Sequence, residues 1–315
     1  MNHLDSDANP IGKRGDAMAD SPSATALVSV GMPVYNGERF VAEAIESILG
    51  QTHSHLELII SDNASNDGTE EICRRYQRLD PRVRYYRSDV NRGAAWNFNR
   101  VFHLARGKYF KWASSDDVCH PEYIASCLPV LEANPDVVLC YGRTRIIDAE
   151  GRPLGDYEDQ LDLQDDSPVT RFFRYLSNVR MCNPVFGLIR PQALARTRLL
   201  GAFVGSDNCL LGHLALLGKF VELPRVMFFR RWHEAASSYD KSSKAQMAFF
   251  DPRWRGKVAT PALRRWAEFV RIASDSSLSA TDRARVYIRL LQILAWWRDV
   301  YGPELRQALV DLARA

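Results

Sequence analysis

Two carboxylates stand side by side at Asp116 and Asp117, directly after the apolar run KYFKWA (108–113) and shortly before Pro121. Like charges at that separation repel, so the pair needs solvent, a shared proton or a counter-ion. A divalent cation lying between the pair and a diphosphate would let both stay ionised, because the metal charge outweighs their repulsion. Alternatively, one Asp caps a helix beginning near Pro121 and the other is solvated. The dipeptide alone leaves both readings open.

Three other polar loops follow apolar runs in the same way. The first, Pro33-Val34-Tyr35-Asn36-Gly37-Glu38, offers an aromatic face for stacking, an amide for hydrogen bonding and a glycine that permits close backbone approach. It reads equally as a strand-to-helix turn with Asn36 as the cap. The second, SDNASNDGT, places Asp62 at a strand end, where an ionised carboxylate can accept from a base N–H or from ribose hydroxyls. Asp67 in that loop reads as helix capping. The third, NRGAAWNFN, sets Asn91 and Gly93 before a helix, a place that attracts phosphate but is also a common turn.

Positioning these loops requires strands that end at one sheet edge. Between Leu27 and Tyr141, β-rich runs (27–32, 56–61, 83–87, 108–113, 137–142) alternate with helical stretches (38–50, 69–79, 94–106, 121–133). That alternation predicts βαβ units and a mostly parallel α/β sheet, with ligands outside the carboxyl ends of the strands. Beyond residue 142 the texture is mixed. IIDAEGRPLGDY predicts a hairpin, 156–166 an acidic loop, 168–178 a helix, VFGLIR a strand, Gly205 to Asn208 a helix start and RVMFFRRW a strand. Three amphipathic helices are predicted after Thr260.

The bulk numbers narrow the function classes. With 41 basic and 38 acidic residues the net charge is +3, too balanced to imply a nucleic-acid partner. The six cysteines show no C-x-x-C or zinc spacing, which points to a reducing, cytoplasmic setting. Residues 1–24 read as a disordered leader, and no run has the length of a membrane span.

The ordered series P-x-Y-N-G, S-D-N-x-S-x-D-G-T, N-x-G and a strand ending in S-D-D resembles the family-2 nucleotide-sugar glycosyltransferases of the GT-A fold, over residues 27–235. The resemblance implies a Rossmann-like GT-A domain at 25–235, with a nucleotide half (25–142) and an acceptor half (143–235), followed by a helical extension at 236–315. It implies a UDP- or dTDP-sugar donor held by Pro33, Tyr35, Asn36, Glu38, Asp62, Asn91, Gly93, Ser115 and Asp116. Mn²⁺ or Mg²⁺ would be held by Asp117, Asp116 and His233, with Arg231 on the diphosphate. GSDNCLLGHLALLGKF resembles the family's E-D element, which makes Asp207 the implied base for an acceptor hydroxyl, and FFRRWHEAASS resembles its late R-x-H region.

Two departures stand out: Ser114 and Ser206 occupy positions where the family often has acids. A non-catalytic sugar-nucleotide-binding protein is therefore the rival reading. A nucleotidyltransferase is less favoured because PVYNGE is not a Gly-rich triphosphate loop, and a dehydrogenase would need G-x-G-x-x-G there. Phe228 stands where processive members have Gln. LLQILAWW with Arg285, Arg289 and Arg298 could support peripheral membrane contact at the inner face, a homodimer, or packing on the chain's own domain. The acceptor hydroxyl is unnamed; loops 152–166 and 236–258 are expected to shape its side of the site.

Overall fold

The computed structural model describes residues 26–234, 236, 243–250 and 260–314. The expected leader and most of the 236–258 loop lie outside these residues. The first half alternates as anticipated: β1 (Val28–Val34), α1 (Val41–Leu49), β2 (Leu56–Asp62), α2 (Thr69–Leu79), β3 (Val83–Arg87), α3 (Ala94–His103) and β4 (Tyr109–Trp112). β1, β2 and β4 are buried at every position, which is why they read as continuous apolar runs rather than as alternation.

Next come β5 (Val118–Cys119), α4 (Tyr123–Ala133), β6 (Val137–Ile147), β7 (Pro153–Tyr157) and α5 (Pro168–Asn178). A 3₁₀ turn at Asn183–Phe186 precedes β8 (Leu188–Ile189), α6 (Pro191–Leu194), α7 (Ser206–Leu217) and β9 (Lys219–Arg231). The described chain ends in α8 (Ser243–Phe250), α9 (Pro261–Asp275), α10 (Ala280–Trp296) and α11 (Arg298–Arg314).

One sheet runs β3-β2-β1-β4-β8-β6-β9-β5, with β7 hairpinned onto β6. The β3-β2-β1-β4 half is parallel and β6 pairs with β9 in parallel, whereas β8 is an antiparallel insert between β4 and β6. Two apolar layers cover its faces. One collects α1, α4 and the Val28, Val30 and Met32 face of β1; the other joins α5, α7, Phe269 of α9 and Val286 of α10. α9 and α10 therefore share a core with α5 and α7.

Several expectations are corrected. VFGLIR divides between the end of the 3₁₀ turn (Val185 and Phe186) and a strand of only two residues (Leu188 and Ile189). The fourth helix begins at Tyr123, two residues after Pro121. The expected strand at RVMFFRRW is the end of a thirteen-residue β9. β5 is a new element, two residues long and too short for any periodicity.

Candidate active site

β5 explains where the acidic pair sits. It pairs antiparallel with β9, Val118 opposite Phe229 and Cys119 opposite Phe228. Continuing that register brings Asp117 and Asp116 alongside Arg230 and Arg231. Accordingly the Arg231 N–H donates to Asp117 Oδ1 at 2.8 Å, and Arg231 Nε donates to the Asp116 carbonyl at 2.9 Å. Two residues on, His233 Nε2 lies 3.1 Å from Asp116 Oδ2.

The two carboxyls have opposite electrostatics. Burial works against ionisation of Asp116, but hydrogen bonds from His233 and Ser114 prevail and hold it below the usual carboxylate range. Asp117 is pushed up to about 8, by burial and then by the adjacent Asp116 charge, against the Arg231 N–H and the charges of Arg230 and Arg231. Without a cation, the pair thus shares close to one negative charge at neutral pH. Asp117 accepts the Arg231 N–H at Oδ1, and Asp116 faces His233 through Oδ2.

That is a donor set fitting a hard divalent cation bound with substrate phosphates, which needs only one or two protein ligands. No three acidic, His or Cys side chains among the described residues already surround one point, so the remaining positions would fall to phosphate oxygens and water. Ser114 donates its hydroxyl to Asp116 Oδ1, a hydrogen bond in the place where an acid is common in the family.

Arg231 departs from its expected role. Its side chain is 1% exposed. Nη1 donates to the carbonyls of Asp148 and Ala149 (3.3 and 3.0 Å), Nη2 to Glu43 Oε2 (2.6 Å), and the guanidinium lies 4.8 Å from the Phe40 ring. It clamps the acidic loop to the β6–β7 turn and α1, with four of its five N–H donors spent on these contacts rather than offered to a diphosphate. The cation turned toward the cleft is Arg230, on the opposite face of β9, whose Nη1 donates to Asn183 Oδ1 at 2.6 Å.

The first three polar loops are knitted together. Asn36, at φ 51°, receives at Oδ1 the Asn66 N–H (2.9 Å), while its own N–H donates to Ser65 Oγ (2.9 Å). Gly37 N–H donates to Thr69 Oγ1 (2.8 Å), and the Glu38 carboxylate accepts from Gly68 N–H. A Cβ at Gly37 would lie 2.8 Å from Val34 Cγ2 and 3.5 Å from Ser115 Oγ, so the first loop lies against the acidic one. Asn63 Nδ2 donates to Asn91 Oδ1 (2.9 Å) and to the Gly93 carbonyl (3.2 Å), and Asn63 Oδ1 accepts from Arg92 N–H (2.9 Å). Gly93 takes φ 88°, a left-handed value a Cβ would strain.

Two expected contacts are not presented to a ligand. Pro33 is a buried β1 residue opposite Ser61. Asp62 is fully buried, with Oδ1 accepting from Ser65 N–H (2.8 Å) and Oδ2 from Tyr85 O–H (2.7 Å). It folds the second loop. Tyr35, 48% exposed, is the aromatic face left free.

Across the cleft, Asp207 occupies the first turn of α7, whose N-cap Gly205 has φ 82°. A Cβ at Gly205 would also come within 2.3 Å of the Arg265 side chain, so only glycine starts the helix here. The helix N-terminus favours an ionised carboxylate. Beside it is the Cys182 thiol, which burial and then the Asp207 charge and hydrogen bond hold well above its usual range, so it remains a donor to that carboxylate. Cys182, Asn183 and Arg230 thus form a polar run from Asp207 to Asp117 that motif reasoning missed.

Asp159 joins this run. It accepts at Oδ2 from Thr144 Oγ1 and Asn183 Nδ2, both at 3.3 Å, while Oδ1 is buried without a partner among the described residues. Burial pushes its pKa up to about 7, hydrogen bonds from Asn183 and Thr144 notwithstanding. A carboxyl raised on folding binds its proton more tightly in the folded state, so the stability it confers is full below about pH 4 and is lost as pH rises through about 7. We expect Asp159→Asn to gain melting temperature relative to the wild type between pH 5 and pH 8. A parallel pH dependence of both proteins would refute this.

The comparisons bear on this geometry. The family model described as Glycosyl transferase family 2 matches residues 29–200, more than half of the 315. The chain belongs to glycosyl transferase family 2. Its relatives include an uncharacterised glycosyltransferase of Methanocaldococcus jannaschii, 33% identical over 136 residues (42% of this chain, 47% of the relative). Another is the putative teichuronic acid biosynthesis glycosyltransferase TuaG of Bacillus subtilis, 38% identical over 91 residues (29% and 36%). The chain therefore spans less than half the length of these curated relatives. Among solved structures, S. aureus TarS 1-349 in complex with UDP-GlcNAc superposes with a TM-score of 0.61 at 15% identity, covering 84% of this chain and 71% of that one. At that identity the likeness concerns fold alone, and the fold is that of GT-A glycosyltransferases with a helical C-terminal part. The matched region of the family model contains the four polar loops and stops short of Asp207, Arg230 and His233.

Proposed function

We propose that this family 2 chain transfers a sugar from a nucleoside-diphosphate sugar, UDP- or dTDP-linked, to an acceptor hydroxyl with inversion at the anomeric carbon. The observation that carries the reading is the β5–β9 pairing, which sets Asp116, Asp117 and His233 at one mouth, with Asp207 at the far end of the same polar run. Support for a sugar-nucleotide donor also comes from TarS, whose structure holds UDP-GlcNAc.

In this reading Tyr35 stacks on the base, and Asn36, Ser115, Asn91 and Gly93 shape the nucleotide loops. Asp116, Asp117 and His233 would hold Mn²⁺ or Mg²⁺, which when bound supplies positive charge to the leaving diphosphate. Arg230 adds a second cation beside that mouth. Asp207 takes the acceptor proton as the acceptor oxygen bonds to C1 and the C1–O bond to the diphosphate breaks, its electron pair leaving on the phosphate oxygen. One in-line displacement inverts the configuration.

A thermal-shift screen of UDP- and dTDP-sugars with and without Mn²⁺ tests the reading. Donor plus metal at 100 times Kd should stabilise the fold by about 2.7 kcal/mol, a rise of several degrees, and Asp116→Asn should remove the metal-dependent part. Stabilisation by donor with no turnover on any acceptor would favour the binding-protein alternative instead.

No helix among the described residues is long and apolar enough to cross a membrane. The α10 surface nevertheless exposes Ile288, Leu291, Trp296 and Trp297, with Arg285 and Arg298 exposed beside them. Apolar and tryptophan side chains flanked by arginines suit peripheral contact with an anionic membrane, which would place the six free thiols at a reducing inner face. We expect the full chain to co-sediment with vesicles containing anionic lipid and to lose most of that binding in a Trp296→Ser, Trp297→Ser double variant. A concentration-dependent dimer with no vesicle binding would assign the same surface to self-association.

A further inference from the structure

A cavity of about 360 Å³ lies between the first two turns of α7, the 197–203 loop and α9. Asp207 and the acidic pair are not among its lining residues, so it is separate from the cleft described above.

Its floor is neutral. Ser206 lines it, is 1% exposed and has a hydroxyl with no hydrogen-bond partner among the described residues. Leu210 and Ile272 supply apolar surface. His213 also lines it, and burial, then the Arg196 charge, push its pKa down to about 4, so it adds no charge at neutral pH.

The rim is cationic. Arg198 and Arg271 are both engaged by the single carboxylate of Glu268, at 3.0 and 3.3 Å. Arg264 lies over the Phe203 ring at 4.7 Å and has no carboxylate partner among the described residues. Three guanidinium groups against one carboxylate leave an excess of positive charge above a floor that holds an unpaired donor.

We propose that this cavity is a second ligand site that takes a small organic oxyanion, its phosphate or carboxylate head accepting from Ser206 and Arg264 and its compact apolar body covering Leu210 and Ile272. The site adjoins the reaction machinery without belonging to it. Ser206 directly precedes Asp207 in α7, and the 197–203 wall is tied to α3 by two hydrogen bonds between Asn99 and the Leu200 backbone, at 2.9 and 3.1 Å. An occupant therefore rests on the helical turn that carries the candidate base.

Titration calorimetry of the full chain with phenyl phosphate, benzoate, inorganic phosphate and benzyl alcohol tests this. Phenyl phosphate or benzoate should bind about tenfold or more tightly than either inorganic phosphate or benzyl alcohol, and whichever is tighter identifies the head group. Saturating UDP should leave that affinity unchanged. Arg264→Gln, at an exposed position, should weaken binding about tenfold with the melting temperature preserved, and Ser206→Ala should weaken it as well. Displacement of the probe by UDP, affinity indifferent to Arg264→Gln, or no binding by either aromatic anion would each overturn the proposal.

Discussion

Asp207→Asn is expected to lower sugar transfer by about 10²–10⁴-fold, the range that loss of a general base produces, while leaving donor affinity within about twofold. The asymmetry follows from position. Asp207 is separated from the nucleotide loops, and its backbone is fixed by α7 rather than by any ligand. Its Oδ1 accepts from Asn208 N–H at 2.9 Å, and Cys182 is the thiol donor beside it. Asparagine preserves shape and the amide contact but cannot accept a proton. Paired measurements of kcat and of UDP affinity separate loss of chemistry from loss of binding. Cys182→Ala should cost far less, because a thiol held protonated only orients the carboxylate. Unchanged kcat in Asp207→Asn would remove it as the base and turn attention to Asp159, the other carboxyl beside that polar run.

The first half was legible in the sequence because β1, β2 and β4 are buried apolar runs and a polar loop follows each strand directly. Those two signals fixed β1 to β4 and the mouth of the sheet. They could not tell a ligand contact from a brace. Asp62 reads as a recognition residue because a carboxylate at a strand end has few local excuses, and the family resemblance adds Glu38, yet each is occupied by a partner from another loop or strand. Arg230 and Arg231 show the same limit from the other side. Adjacent in sequence, they point to opposite faces of β9, and only the pairing with β5 decides which of them faces the cleft. A two-residue strand leaves no periodic trace, so that decision was invisible. Asn183 and Asp159 were missed for a related reason: they lie in irregular segments, and their roles come from contacts with Arg230 and Thr144 distant in sequence.

Arg231→Met is expected to destabilise the fold by about 1–3 kcal/mol, the range for leaving a buried acceptor unsatisfied, since the Glu43 partner is 55% exposed and can be solvated. Methionine fills much of the volume but leaves the carbonyls of Asp116, Asp148 and Ala149 and the Glu43 carboxylate without the donors they have now. Arg231→Lys should rescue little, since one ammonium cannot reach three directions that a planar guanidinium serves at once. The Arg231 N–H to Asp117 survives both changes because it belongs to the backbone. The consequence for function is indirect: the acidic loop loses its clamp to the β6–β7 turn, so metal affinity should fall along with stability. Arg230→Gln is the contrasting variant. Its guanidinium contacts Asn183 in the cleft, so its loss should lower transfer while the denaturation midpoint moves little. Equal stability losses in the two variants, or a stable Arg231→Met protein with only weakened donor binding, would return Arg231 to the diphosphate role and take the clamp away.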